Sequence, residues 1–135
     1  MANTLYDAAR EAFLTGQINW LEDTIKVMLI RSAGYNCEPA THVNLSDIAT
    51  AARATAGITL TNKTANGGAA DGADITFTAV TGESIKAIVI YVDGDSESTS
   101  RLIAYIDTAT GLPITPNGGD IIVTWDNGSN KIFKL

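Results

Sequence analysis

Hydrophobic side chains first recur at helical spacing, close to the start of the chain. Over residues 4–14 they lie three and four residues apart, which predicts a short amphipathic helix. Thr4 stands where an N-cap is expected, Asp7 takes the third helical position as in a capping box, and Gly16 follows the predicted end. The apolar stripe consists of Leu5, Ala8, Ala9, Ala12 and Phe13.

From Asn19 onward the pattern changes to short, β-branched and partly alternating segments, which predict strands. In one of them Ile75, Phe77 and Ala79 point one way and the threonines between them point the other, as in a half-buried strand. Residues 88–92 are apolar on both faces, which indicates a central strand covered on both sides. The predicted strands are residues 24–30, 57–63, 73–80, 84–92, 101–107, 120–126 and 130–134.

Glycine, asparagine and aspartate clusters separate these strands and mark the turns. Asn127-Gly128, between the last two strands, predicts a type I′ hairpin because both central residues of that turn need positive φ. Residues 35–50 form a long irregular connection, with one helical turn expected near residues 45–48.

Short strands with frequent turns and no crossover helices predict a mainly β fold. We expect an antiparallel β-sandwich, jelly-roll-like, or a barrel, with one short N-terminal helix. The length of 135 residues corresponds to a single domain, residues 1–135. Within it we expect an N-terminal helical arm at residues 1–16 and the β-sandwich at residues 19–135.

Charge and composition narrow the classes of function. The chain is 45% hydrophobic and 18% charged, which is typical of a globular protein, and its formal net charge is −6. An acidic chain with scattered basic residues predicts no direct nucleic-acid partner, since phosphate binding needs a lysine and arginine face. No stretch approaches the roughly 20 apolar residues of a membrane span, so no membrane partner is expected. Asp7 and Glu11 lie where a signal peptide needs apolar residues, which predicts synthesis in a cytoplasm.

Candidate catalytic and metal-binding residues are few. His42 is the only histidine and Cys37 the only cysteine; we expect an inert buried thiol and a hydrogen-bonding histidine, not a nucleophilic pair. Residues 93–97 alternate carboxylates but lack the frame of a calcium loop, and Asp7 with Glu11 is expected to solvate the helix. The prediction is a protein without enzymatic activity, cofactor or metal.

The two tryptophans are the largest apolar side chains. Trp125 continues the alternation of Ile121 and Val123, which favours a core position. Trp20 lies between the predicted helix and the first strand. There it could either join the helix to the sheet or anchor a partner, and the sequence leaves both open.

A pattern of residues at both ends of the chain points to a family. At the start it is Asn3-Thr4-Leu5-Tyr6-Asp7, followed by Gln17-Ile18-Asn19-Trp20. Towards the end it is Leu102-Ile103-Ala104-Tyr105-Ile106-Asp107, followed by Pro116-Asn117-Gly118-Gly119-Asp120-Ile121. With these segments the chain resembles small structural proteins of tailed-phage virions, of the capsid decoration or cement family.

The resemblance implies a function and a place of action. It implies a β-sandwich that binds the outer surface of a major capsid protein shell and stabilises it, acting as a homo-oligomer, a dimer or trimer, on the virion. It implies no catalytic residues. Two alternatives stay open: a tail or head–tail connector component, and a displayed carbohydrate- or receptor-binding module, which exposed aromatic side chains would favour. Since a short terminal helix has little core of its own to bury into, the expected interface residues are Leu5, Tyr6, Phe13 and Trp20.

Overall fold

The computed structural model describes residues 3–109 and 111–135, so the first two residues of the expected arm lie outside the described part. It confirms a mainly β protein with antiparallel sheets and one short helix. The helix is α1 (Asp7–Leu14), and two 3-10 turns, Leu45–Asp47 and Thr50–Ala52, lie in the long connection. The strands are β1 (Thr4–Leu5), β2 (Ile25–Arg31), β3 (Ile58–Thr59), β4 (Thr64–Asn66), β5 (Ala69–Asp71), β6 (Ile75–Phe77), β7 (Ile85–Val92), β8 (Leu102–Ile106), β9 (Ile121–Val123) and β10 (Phe133–Lys134).

A five-stranded antiparallel sheet forms the centre, in the order β1-β8-β7-β2-β3. Its long strands β2 and β7 pair from Ile25 with Val92 to Arg31 with Ile85, and both are almost continuously buried. The prediction that residues 88–92 form a central strand covered on both faces is therefore confirmed. The apolar runs of these two strands are packed on both faces because exposure of either face would place apolar side chains in water, which is unfavourable.

The two faces of this central sheet carry different neighbours. On one face Leu29, Ile88 and Ile106 form a row across β2, β7 and β8, since Leu29 pairs with Ile88 and Ile88 pairs with Ile106. On the other face Tyr105 of β8 lies 6.1 Å from the ring of Tyr35 in the long connection. Helix α1 also packs against β8. Sheet and covering segments thus share one core.

Two smaller sheets complete the structure, one with the order β10-β5-β4 and one in which β6 pairs with β9. Both are antiparallel. Within residues 3–109 and 111–135 no sheet closes into a barrel. The sandwich and jelly-roll arrangement stays a prediction.

The start of the chain differs from the predicted helix over residues 4–14. Thr4 is not an N-cap: Thr4 and Leu5 form β1 and pair with Tyr105 and Ala104. The extended residue before the helix is Tyr6, and the N–H of Asp7 donates to the carbonyl of Pro39. Pairing with the central sheet therefore overrides the local helical signal. The predicted end is right, since Gly16 follows Thr15, the C-cap, with φ +75°.

The predicted hairpin at Asn127-Gly128 is wrong, because β9 pairs with β6 and β10 pairs with β5. Gly128 has no positive φ; its N–H instead donates to the side chain of Asp126 in a local turn. The two-residue hairpin lies between β4 and β5, where Gly67 and Gly68 have φ of +61° and +82°.

Several predicted strands extend beyond the observed ones. Ile75 and Phe77 are buried as expected, but Ala79 is exposed with φ +51°, so the alternation stops before it. Asn62, with φ +52°, likewise separates β3 from β4. These left-handed positions end the strands because they turn the backbone out of the ladder. The helical turn expected near residues 45–48 is confirmed.

Candidate interaction surface

The four predicted interface residues hold the N-terminal segment on the rest of the chain. Leu5 belongs to edge strand β1, and Tyr6 is fully buried next to it. Phe13 is half-buried near the end of α1, and Trp20 is 6% exposed. The described residues of the predicted arm and of the predicted sandwich are thus joined through one sheet and one core. A role of these residues at an interface stays a prediction.

Trp20 joins the segment before β2 to the three-stranded sheet. Its indole Nε1–H donates to the carbonyl of Asp71 in β5 at 3.2 Å, and its ring meets Phe133 edge to face at 5.2 Å. Phe133 also lies 5.9 Å from the ring of Phe13. Of the two positions that the sequence left open, the structure shows the one in which Trp20 joins the helix end to a sheet. We call Phe13, Trp20 and Phe133 the aromatic cluster.

A groove of about 360 Å³ opens beside the aromatic cluster, and we call it the helix-end groove. Besides the cluster it is lined by Ile18 and by Leu21 and Leu135, of which 51% and 63% are exposed. Ala65 of the exposed edge strand β4 lies at the same groove. Two large apolar side chains at the rim of an aromatic groove form an apolar surface. Covering this surface with a partner is favourable because it removes apolar area from water.

Sequence reasoning placed Phe13 and Trp20 at this surface but missed Leu21, Phe133 and Leu135. Phe133 and Leu135 reach this surface because β10 pairs with β5, which is a contact between the last residues and the middle of the chain. Their only sequence signal is that two large apolar residues stand in the last three positions. Trp125, in contrast, is buried as predicted, and its Nε1–H donates to the carbonyl of Ala73.

Cys37 and His42 lie at the two ends of one hydrogen-bond chain, which is buried at Cys37 and partly buried at His42. The N–H of Glu38 donates to His42 Nδ1, so this nitrogen is an acceptor, and the Tyr35 hydroxyl at 2.9 Å must donate to it as well. Tyr35 then accepts from the Tyr6 hydroxyl at 2.8 Å, which in turn accepts from the Cys37 thiol at 3.5 Å. All protons therefore point from the thiol towards the imidazole.

The same chain keeps its acidic members protonated. Burial raises the pKa of the Cys37 thiol, and burial also raises the pKa of Tyr6 and Tyr35 well above the ordinary tyrosine value. A thiolate nucleophile is disfavoured there, because the hydrogen bonds from Tyr6 and Tyr35 stabilise the negative charge less than burial destabilises it. The predicted burial of the Cys37 thiol is confirmed, and its inertness stays a prediction.

Two of the three carboxylates in residues 93–97 form ion pairs with basic side chains of the same chain. Asp93 lies 3.2 Å from Lys26 Nζ, and Glu97 forms a two-pronged pair with Arg53 at 2.7 and 3.2 Å. Arg53 also donates to carbonyls of the long connection, so this pair ties two loops together. In the part of the chain that the structure describes, no three histidine, cysteine or carboxylate side chains converge on a possible metal position.

Exposed aromatic rings would favour the carbohydrate-binding alternative, and the six candidates are all buried. None of them is more than 7% exposed, so none offers a free face on which a sugar could stack. They are Tyr6, Tyr35, Tyr91, Tyr105, Trp20 and Trp125.

Neither the family models nor the curated proteins with which the sequence was compared contain a match to the chain. Over the described residues, no helix has the length and apolar character that a bilayer crossing requires.

Proposed function

We propose that this chain is a structural protein of a tailed-phage virion, and specifically a decoration protein that binds the outer surface of the major capsid protein shell through the helix-end groove. The observation that carries the proposal is the pair of exposed leucines, Leu21 and Leu135, above the aromatic cluster. The resemblance of both chain ends to decoration proteins supports the virion as the place of action. Localisation to the outer capsid surface follows from that resemblance.

Physical chemistry gives such a protein a simple way to act. A protein that binds only the expanded shell stabilises that state by mass action, by about 2.7 kcal/mol per site at a hundredfold excess over Kd. Repetition over many symmetric sites makes modest site energies large. The net charge of −6 keeps the protein from binding packaged DNA, since like charges repel.

A sedimentation assay tests the proposal. The purified protein is mixed with undecorated, expanded capsid shells of the phage that encodes it, and the bound fraction is measured against concentration. Full burial of a leucine is worth about 1.5–3 kcal/mol, and both rim leucines are about half exposed. Leu21→Lys and Leu135→Lys should therefore each weaken binding about fivefold to tenfold.

Thr76→Lys is the matched control, because it adds the same charge at an exposed position of β6 outside the groove. It should bind as the unmodified protein does. Absence of saturable binding to shells, or equal binding by Leu21→Lys and Thr76→Lys, would overturn the proposal. Binding to isolated tails or connectors and not to shells would favour the connector alternative instead.

A further inference from the structure

A second groove, of about 630 Å³, lies between β9 and the central sheet. Its floor includes the row of Leu29, Ile88 and Ile106, which runs across three adjacent strands of that sheet. The floor is apolar: beside the buried Leu29 and Ile88 it includes the half-buried Ile106, and the half-buried Leu112 and Ile114 line the same groove. We call this feature the strand-edge groove.

One wall of the strand-edge groove is the edge of a strand. All residues from Ile121 to Asp126 line it, and β9 pairs with β6 alone. The N–H of Trp125 donates to the Asp74 side chain beside β6. Because successive amides of a strand alternate in direction, the N–H groups of Ile122 and Thr124 point to the open edge. Thr124 lies beyond the end of β9, and no residue in the described ranges accepts a hydrogen bond from its N–H.

The charge of the groove lining favours an uncharged occupant. The described lining contains two ionisable side chains, Asp126 and Lys131, which are of opposite sign. The groove is therefore nearly neutral in a chain that carries a net charge of −6. An uncharged segment fits it, whereas a nucleic acid or another polyanion would find neither a basic wall nor a favourable field.

We propose that the strand-edge groove binds an extended, uncharged polypeptide segment of another protein, which adds to β9 as a further strand and places alternate apolar side chains on the floor. The open edge of β9 can form hydrogen bonds with the backbone of a further strand, and the apolar floor can contact apolar side chains. An extended segment offers both, because its side chains point to the same face at every second residue. Exposed Ile122, 65% accessible on β9, would be covered at the same time. The inference does not depend on the virion assignment.

A second copy of the chain is a poorer occupant. Its own β9 carries β6 along one side, so a two-stranded sheet would have to enter the groove. A single extended strand needs only about 4.8 Å beside β9.

The test uses a fluorescein-labelled synthetic peptide that alternates valine and threonine, together with the full chain. We expect saturable binding by fluorescence anisotropy, and at least tenfold slower amide hydrogen exchange at Ile122 and Thr124 in the bound state. The control peptide has the same side chains and an N-methylated backbone, so it cannot donate to a strand edge. It should bind at least tenfold more weakly.

Two variants separate strand addition from adhesion to the apolar floor. Thr124→Pro removes one outward N–H and leaves the bonds to β6 in place, and it should weaken peptide binding about tenfold. Thr124→Val keeps the N–H and should bind as the unmodified chain does.

Three outcomes would overturn the proposal: no binding at millimolar peptide, equal binding of the N-methylated peptide, or slower exchange that rises with protein concentration without peptide. The last would identify a second copy as the occupant. If Thr124→Pro does not fold, the two peptides on the unmodified chain still decide.

Discussion

Replacement of Trp20 distinguishes a residue that holds the fold together from one that anchors a partner. Its side chain is 6% exposed, stacks edge to face on Phe133 and donates to the Asp71 carbonyl. Removal of a buried tryptophan side chain costs about 3–5 kcal/mol. Trp20→Ala should therefore lower the free energy of unfolding by about that amount, a large share of the roughly 5–15 kcal/mol of a typical domain.

Trp20→Phe divides this cost into its parts. The phenyl ring keeps most of the contact with Phe133 but loses the Nε1–H, so the carbonyl of Asp71 loses its indole partner. A lost hydrogen bond of this kind costs about 1–2 kcal/mol. We expect Trp20→Phe to fall between the unmodified chain and Trp20→Ala.

Urea unfolding followed by far-ultraviolet circular dichroism measures these differences without relying on tryptophan fluorescence. Leu14→Ala is the control: Leu14 is 88% exposed at the end of α1, and its loss should change stability by less than about 0.5 kcal/mol. A Trp20→Ala variant that loses less than about 1 kcal/mol would refute the assignment of Trp20 to the core. That result would favour the alternative, in which Trp20 binds a partner.

Three further predictions concern individual hydrogen bonds, buried tyrosines and the dependence of stability on pH. Tyr6→Phe breaks the chain between Cys37 and Tyr35 and should lower the free energy of unfolding by about 1–2 kcal/mol in urea; an unchanged midpoint would contradict it. Burial raises the pKa of Tyr105 to about 12 and raises that of Tyr6 further, so the unfolded chain loses these protons first and stability should fall above about pH 10. The fall should approach about 1.4 kcal/mol per pH unit for each such group, and constant stability from pH 9 to 11 would exclude it. Backbone N–H groups of Val43 and Asn44 lower the pKa of Asp47. Asp47→Ala should therefore lower the free energy of unfolding by about 1 kcal/mol at neutral pH, and by less as the pH falls below about 4. Urea titrations at neutral pH and below pH 4 measure the difference.

The central strands could be predicted from the sequence because their signal is local. β2 and β7 contain the continuous apolar runs 27–30 and 87–92, which are typical of strands buried on both faces. The end of α1 was equally clear, since Gly16 supplies the positive φ that a helix end needs. In both cases the residues themselves limit the backbone to one conformation.

The start of the chain and the hairpin could not be predicted, because distant partners decide them. Leu5 fits a helical stripe and a strand equally well, and pairing with Ala104 selects the strand. Asn127-Gly128 is a strong hairpin sequence, yet β9 and β10 find other partners. Local propensities are smaller than the free energy of such tertiary contacts.

The candidate surface was half predicted for the same reason. Phe13 and Trp20 stand out as large apolar residues beside a short helix, and both lie at the helix-end groove. Phe133 and Leu135 reach it because the last strand pairs with β5, which lies in the middle of the chain. The spacing of residues along the sequence does not predict that contact.

The most direct test of the decoration proposal is the position of this chain in a virion imaged by electron cryomicroscopy at residue resolution. The proposal predicts many copies on the outer capsid surface, with Leu21 and Leu135 covered by the major capsid protein. Copies confined to the tail or to a ring at one vertex, or a helix-end groove that faces solvent in every copy, would contradict it.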